Sequence, residues 1–231
     1  MKQNILFEDN DILVVYKPAG IATQTARLGQ QDMLSELKNY LAGQEAYRGK
    51  GEPYLGMIHR LDQPVSGILV FAKTKEAAAK LSAQAADKGK SMRKHYCAVV
   101  YGKPEQPEAT LTDYLVKNAK TNLSEIASKS NTAAKLARLS YKQVAAGDNY
   151  AKLDITLFTG RHHQIRVQLA HAGMPILGDG KYGNEKSGDL SRQLQCRNIA
   201  LCAYGLEFVH PATGKELSFV IEPKEAIFGI F

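Results

Sequence analysis

The sequence predicts an α+β fold with a largely antiparallel, mixed sheet and flanking helices. Eight segments have the β-branched and aromatic content of strands, whereas three segments have the periodicity of helices. The two kinds of element do not alternate regularly, which argues against a doubly wound parallel sheet. At 231 residues and 44% hydrophobic content the chain can bury a substantial core. We therefore expect one domain, 1–231, and a division of it into two lobes is compatible with this length.

The predicted strands lie between turn residues and either alternate apolar with polar positions or form short apolar runs. They are 12–16, 67–72, 96–101, 110–116, 137–144, 151–158, 200–208 and 217–221. Asp32 and Thr74 suit the N-caps of helices over 32–43 and 74–89, and a third helix is predicted over 164–172. Two polar stretches, 117–135 and 184–195, are predicted to be mobile surface loops.

Composition limits the partners and the compartment. The chain has 30 Lys and Arg against 23 Asp and Glu, a net charge of +7, which favours a polyanionic partner only modestly. Cys97, Cys196 and Cys202 are odd in number and lack C-x-x-C spacing, so neither a disulfide framework nor a thiolate zinc site is expected. The first apolar run, 12–16, is too short for a signal segment or a membrane span. These features predict a cytoplasmic protein without membrane association.

The position of Asp62 in the sequence is typical of a catalytic or binding residue. Residues 59–62, His-Arg-Leu-Asp, are followed by Gln-Pro-Val-Ser-Gly and then by the apolar run 68–72. The proline and glycine predict a sharp turn, and the run predicts a rigid buried strand behind it. The pattern therefore presents Asp62 beside Arg60 at the edge of a core. It is equally compatible with an Asp62 side chain that only bonds the backbone of its own turn.

A second segment, residues 159–169, places two arginines at the start of the third predicted helix. Its sequence is Thr-Gly-Arg-His-His-Gln-Ile-Arg-Val-Gln-Leu, with Arg161 and Arg166 among neutral hydrogen-bond donors. A helix start is already favourable for anions. The adjacent His162 and His163 do not share a helix face and have no recurring acidic or cysteine companion, so we expect no metal site.

Together the two segments resemble the signature of the RluA-type RNA pseudouridine synthases, with patterns HRLD-x-x-T-S-G, T-G-R-x-H-Q-I-R and a G-D-x-x-Y-G tail. The tail stands here at 178–183, and the resemblance extends to 13–20, 94–96 and 208–211. Six ordered motifs over nearly the whole chain are far more specific than any one of them. The resemblance implies the same α+β fold with a central cleft. It also implies an isomerase that converts uridines of ribosomal or transfer RNA to pseudouridine. Because the first motif begins at Leu13, we expect the N-terminal RNA-binding appendage of many relatives to be absent.

The resemblance also implies roles for three residues. Asp62 would act ionised, and the sequence does not decide whether it attacks the uracil ring, attacks the sugar or removes a sugar proton. Arg166 would neutralise Asp62 through two parallel hydrogen bonds, the alternatives being a phosphate contact or a surface position. Tyr96 would stack on the uracil and assist proton removal, the alternative being a core residue. No cofactor is expected, because the isomerisation involves no redox change.

A uridine inside structured RNA must be turned out of its stack, at a cost on the order of a few kcal/mol. Arg60 suits the filling of the gap or a phosphate contact. The other candidates for RNA contacts are His59, Lys17, Lys94, Arg161 and Gln164.

The chain departs from the family pattern at three positions, which puts target choice in doubt. They are Val65 in place of Thr, and Gln168 and Cys202 in place of His.

Two other functions are compatible with parts of this pattern. One is an RNA-binding or chaperone module of the same fold with little or no turnover. The other is a carboxylate-dependent nucleosidase or glycosidase. Such enzymes normally need two facing acids, and Asp179 is a much weaker candidate for a catalytic acid than Asp62.

The chain has no evident heptads, so we expect a monomer. The sequence does not identify the target RNA or the target uridine.

Overall fold

The structure, a computed structural model, describes residues 4–25, 29–49, 51–87 and 89–231. In chain order the elements are β1 (Ile5–Glu8), β2 (Ile12–Lys17), α1 (Met33–Ala42), β3 (Gly56–Met57), β4 (Ser66–Ala72), α2 (Lys75–Ala86), β5 (Arg93–Tyr101), β6 (Glu108–Asn118), β7 (Leu123–Ala127), β8 (Lys135–Ala146), β9 (Tyr150–Leu157), α3 (Gln164–His171), α4 (Glu185–Gln193), β10 (Leu201–Val209) and β11 (Glu216–Val220). All eight predicted strands and all three predicted helices are present, with their ends within three residues of the predicted ones.

The chain divides into two units. Unit one comprises the described residues up to Met92 together with Gly205–Ile221, and unit two comprises Arg93–Tyr204 and Glu222–Phe231. Antiparallel strands dominate both units and helices flank them, so the α+β prediction is confirmed. That 1–231 works as one catalytic domain stays a prediction.

In unit one, β2 pairs antiparallel with both β1 and β4. Every residue of β2 and β4 is buried, which explains why both strands consist largely of continuous apolar residues. One face of this sheet packs against Ala77 and Leu81 of α2. The two predicted caps are confirmed: Asp32 accepts the Ser35 N–H at the start of α1, and Thr74 accepts the Ala77 N–H at the start of α2.

In unit two, β5, β9, β8, β6 and β7 lie side by side in that order, each antiparallel to the next. Buried and partly exposed residues alternate along β9, as expected for a sheet with one covered face. Helix α3 packs on the covered face at β6 and β7. Val167 of α3 contacts Leu115 and Ala137 there, and Ile126 and Tyr182 border this small core.

The structure corrects both predicted loops. Residues 123–127 of the first form β7, which is short and is defined by its pairing with β6. Residues 185–193 of the second form α4, which begins with a capping box between Asn184 and Ser187. The buried face of α4 carries Ser187 and Ser191. Because serine supplies no hydrophobic periodicity, the sequence did not indicate this helix.

Strands β1 and β3 were also missed, since four and two residues are too few to show a period. Within the part of the chain that the structure describes, no helix combines the length and the apolar character that crossing a membrane requires.

Candidate active site

Asp62 lies in unit one and is half-buried, in the turn that leads into β4. The Val65 N–H donates to the Asp62 carbonyl oxygen at 3.0 Å and closes this turn. Val65 itself is buried at the base of β4. The backbone of Asp62 is therefore fixed by the sharp turn that the Pro and Gly predicted, with a buried strand behind it.

The residues on either side of Asp62 are bonded to the loop that follows β2. The Thr23 hydroxyl donates to the Leu61 carbonyl at 2.9 Å, and the Leu61 N–H donates to Thr23 Oγ1 at 3.2 Å. The Gly20 N–H donates to the Gln63 carbonyl at 2.8 Å, while Gln63 Nε2 donates to the Gly20 carbonyl at 3.0 Å. Four hydrogen bonds thus limit the movement of the segment that carries Asp62.

Lys17 has a structural role in this loop, and its predicted RNA contact stays a prediction. It is fully buried, and its Nζ donates to the carbonyl oxygens of Ile21, Pro18 and Gln63 at 2.7, 2.9 and 3.2 Å. Three acceptors match the three donors of an ammonium, which makes its burial tolerable. Lys17 therefore joins the loop after β2 to the Asp62 turn. The sequence showed the charge but not its burial.

The two residues of the His-Arg-Leu-Asp segment that were assigned to RNA differ in exposure. Arg60 is exposed, as gap filling or a phosphate contact would require. His59 is half-buried, and its Nε2 accepts the Val70 N–H at 3.4 Å. The RNA contacts of both residues stay predictions.

Arg166 lies on α3 in unit two and is 4% exposed, so it does not occupy the exposed face of the helix. Its Nε donates to Asp179 Oδ2 at 2.8 Å and its Nη2 donates to Asp179 Oδ1 at 2.6 Å. The Asp179 side chain is completely buried. Asp179 Oδ1 also accepts the backbone N–H groups of Lys181 and Tyr182, at 2.9 and 3.3 Å. The guanidinium is thus held in one orientation by a bidentate ion pair.

Tyr182, from the Gly-Asp-x-x-Tyr-Gly tail, connects Arg166 to the start of α3. Its ring centre lies 5.2 Å from Arg166 Cζ. Its hydroxyl accepts the Ser124 N–H at 2.7 Å and lies 2.8 Å from His163 Nδ1. His163 adopts a left-handed conformation with φ of 53°, and its ring stacks on His162 at 3.8 Å. The sequence identified this tail only as a family motif, and its function in positioning Arg166 was missed.

Gln164 is a buried residue with a structural role, and its predicted RNA contact stays a prediction. Its Oε1 accepts the Thr159 hydroxyl at 2.8 Å and the Arg161 N–H at 3.0 Å. Its Nε2 donates to Gln168 Oε1 at 2.9 Å and to the Arg138 carbonyl at 3.2 Å. These four bonds use the full capacity of the amide and shape the loop before α3.

The three departures from the family pattern are all buried: Val65, Gln168 and Cys202 are 2%, 0% and 0% exposed. Gln168 Nε2 donates to Asp113 Oδ2 at 2.7 Å, which gives this residue an internal role. Burial argues against direct contacts of these side chains with a target RNA.

The remaining predicted residues lie on unit two. Tyr96 is 7% exposed on β5, where it pairs with Ile155 of β9. Lys94 is half-buried on the same strand. Arg161 is exposed, and its Nε donates to the Leu136 carbonyl at 2.9 Å. The predicted catalytic residues therefore come from both units, Asp62 from unit one and Tyr96 and Arg166 from unit two.

Among the described residues, one group has metal-ligand spacing: Asp9, Asp11 and His210. His210 Nδ1 accepts the N–H groups of Ala212 and Thr213, at 3.2 and 3.1 Å. Its Nε2 therefore carries the proton and donates to Asp9 Oδ2 at 2.8 Å. With neither ring nitrogen offering a lone pair to an ion, this group serves to tie the Phe-Val-His-Pro segment to the turn between β1 and β2.

Two cysteines are unsuited to nucleophilic catalysis. Burial raises the pKa of the Cys97 and Cys196 thiols to about 11. Both are therefore protonated at neutral pH, and the thiol form is a poor nucleophile. Asp62 stays the nucleophile candidate that the sequence motifs indicate.

Comparisons with known proteins agree with the motifs. Residues 11–171 match the model of the family described as RNA pseudouridylate synthase. Ribosomal large subunit pseudouridine synthase D of Zymomonas mobilis is 36% identical over 94% of this chain and 68% of its own length. Ribosomal large subunit pseudouridine synthase C of Rickettsia bellii is 34% identical over 85% of this chain and 63% of its own length. The chain thus spans about two thirds of these relatives.

A comparison with solved structures agrees on the fold. The solved structure of human RNA pseudouridylate synthase domain containing 4 superposes with a TM-score of 0.77, covering 96% of this chain and 90% of that chain at 22% identity. The α+β fold is therefore that of the pseudouridylate synthases. With the match over 11–171 and the bacterial relatives, the chain belongs to the RNA pseudouridylate synthase family, a family of isomerases.

Proposed function

We propose that this chain isomerises uridines of large-subunit ribosomal RNA to pseudouridine in the cytoplasm, with Asp62 as nucleophile or base. The family match over 11–171 carries the proposal, because it includes Asp62, Tyr96 and Arg166. The names of both bacterial relatives favour ribosomal RNA. Transfer RNA is the alternative substrate.

The reaction breaks the bond between the sugar and a base nitrogen, turns the base, and joins a ring carbon to the sugar. Atoms are conserved and no oxidant is consumed, so the steps can be divided among a nucleophile, a proton acceptor and a neutralising cation. In the proposal these groups are Asp62, Tyr96 and Arg166. The hydrogen bonds around Asp62 and the Asp179 pair of Arg166 support it, because preorganised groups need no rearrangement during the reaction.

The direct test incubates the purified chain with large-subunit ribosomal RNA transcribed in vitro and separates the nucleosides after digestion. The expected product is pseudouridine, with no free uracil. Free uracil would indicate a hydrolase, and RNA binding without either product would indicate a binding module. Mapping pseudouridines in cells with and without the gene then identifies the target position.

Replacement of Tyr96 by Phe should keep RNA affinity and reduce single-turnover pseudouridine formation on the order of 100-fold. The reason is that stacking survives while proton transfer loses its hydroxyl. The matched control is Tyr101→Phe on the same strand, which should react at the wild-type rate. An unchanged rate for Tyr96→Phe would remove the hydroxyl from the mechanism.

A chelator is expected to leave the rate of isomerisation unchanged, because no proposed step uses a Lewis acid. The measurement compares single-turnover rates with and without EDTA, using RNA that is folded beforehand and whose fold is checked by native gel. Loss of activity with intact RNA would contradict the cofactor-free mechanism.

A further inference from the structure

The three-stranded ribbon β6 to β8, residues 108–146, has six basic and three acidic residues, and its basic residues all lie in the part from the end of β6 onward. Residues 117–142 contain six basic residues and one acidic residue, Glu125, a net charge of +5 where the whole chain has +7. The basic residues are Lys117, Lys120, Lys129, Lys135, Arg138 and Lys142. The sequence alone predicted that most of this segment, 117–135, is a mobile surface loop, whereas in the structure the segment forms strands and turns.

Strand register decides which of these cations share a face. Residues opposite each other in an antiparallel pair point to the same side, and so do residues two apart in one strand. Leu115 is opposite Lys135 and contacts Val167 of α3. Lys117 follows Leu115 by two and is opposite Ser124, which is buried against the loop before α3. Lys117 and Lys135 therefore lie on the face that α3 covers in part, and both side chains are exposed beside it.

Three more exposed cations border this face. Arg161 is attached to β8 through its bond to the Leu136 carbonyl, 2.9 Å long. Lys181 Nζ donates to the Asn122 carbonyl at 3.3 Å, in the turn between β6 and β7. Lys120 is exposed in that same turn. The cations thus extend along the ribbon from β8 to the β6–β7 turn.

The three acidic residues of the ribbon do not interrupt this row. Glu108 is opposite Lys142 and lies an odd number of residues from Leu115, so it points to the other face of the ribbon. Glu125 is opposite Val116, on the other face of the ribbon, where it accepts a hydrogen bond from Asn118 Nδ2 at 3.3 Å. Asp113 lies on the α3 face, but its Oδ2 accepts from Gln168 at 2.7 Å and its Oδ1 is 3.3 Å from His171 Nδ1. Both carboxylate oxygens of Asp113 therefore contact side chains of α3. Among the described residues of this face, the exposed charges are therefore positive.

We propose that Lys117, Lys120, Lys135, Arg161 and Lys181 form a basic track that binds phosphates of the RNA flanking the target uridine. Each phosphate bound by a cation releases condensed counterions, which favours an uninterrupted row of cations over scattered charges. Lysines act as point charges on flexible stems and contact phosphates rather than reading bases. The track lies beside α3, which carries Arg166. The inference rests on the proposed function for the identity of the polyanion.

The test removes four of the charges together, in the full chain, by changing Lys117, Lys120, Lys135 and Lys181 to Gln. The probe is a labelled large-subunit ribosomal RNA fragment, and its affinity is measured over a series of salt concentrations. Four lost phosphate contacts should reduce the slope of log affinity against log salt by about 3 and weaken binding at 0.1 M salt by at least about 100-fold.

A matched control has the same change in net charge away from the track: Lys75, Lys103, Lys142 and Lys186 to Gln, all exposed residues. It should keep a slope within about one contact of the wild type. A second control changes the four track lysines to Arg, which keeps the charge and should keep the slope. Equal losses in the track and control variants, or an unchanged slope in the track variant, would overturn the proposal.

The outcome is separable from that of the proposed function. If wild-type protein isomerises the RNA and the track variant binds like the control, the track is wrong and the function stands. If wild-type protein forms no pseudouridine, the function fails, while the difference in salt slope still tests the track.

Discussion

The Asp62→Asn variant is expected to fold and bind RNA as the wild type does and to form pseudouridine at least about a thousand-fold more slowly. An amide keeps the shape of the carboxylate but is neither a nucleophile nor a base. The hydrogen bonds that join the turn around Asp62 to the loop after β2 involve the backbone of Leu61 and Gln63 and the Thr23 side chain, so this substitution leaves those bonds in place. The measurement is single-turnover product formation at saturating RNA, with thermal unfolding and RNA affinity on the same preparation.

Asp148→Asn provides the matched control. Asp148 is an exposed loop residue, and its replacement makes the same chemical change without touching the site. It should react at the wild-type rate. Substantial turnover by Asp62→Asn would falsify the assignment of Asp62 as the essential carboxylate. This holds whether Asp62 attacks the uracil ring, attacks the sugar or removes a sugar proton.

Arg166→Lys should slow the chemical step at saturating RNA on the order of 100-fold or more and weaken RNA affinity far less. An ammonium cannot reproduce the two parallel bonds from Nε and Nη2 to Asp179, so the cation at this position loses its fixed orientation. The substitution should also lower the free energy of unfolding by about 2 kcal/mol, the typical value of one charge-assisted hydrogen bond.

The Asp179→Asn variant separates a structural role of Arg166 from a chemical one. If Arg166 only stabilises unit two through Asp179, both variants should lose stability while each folded molecule keeps its activity. If Arg166 also neutralises Asp62, as we propose, Arg166→Lys should be slower per folded molecule than Asp179→Asn. A variant at Arg166 that binds RNA poorly but reacts normally once bound would instead assign this residue to a phosphate.

The structure changes how two of the predicted RNA contacts are understood. Lys17 and Gln164 have the charge and polarity of RNA-binding residues, and both stand within family motifs. Their burial and their complete hydrogen bonding show that they hold the loops from which Asp62 and Arg166 extend. The motifs themselves did not indicate that these two residues support the loops; their hydrogen-bond partners in the structure do.

The sequence by itself determined the fold class, eight of the strands, three of the helices with their two caps, and the family. These features depend on local signals: apolar periodicity, turn residues, and the order of short motifs along the chain. The tertiary structure alone decided the partner of Arg166, the burial of Lys17, and the existence of β7 and α4. It also placed Lys117 and Lys135 on one face. The partner of Arg166 and the burial of Lys17 depend on residues far apart in the chain, Asp179 and Gln63, and hydrogen bonding across such separations leaves no periodic trace in the sequence. The two missed elements have local causes: β7 is a short hairpin partner of β6, and the buried face of α4 carries serines, so neither shows an apolar period.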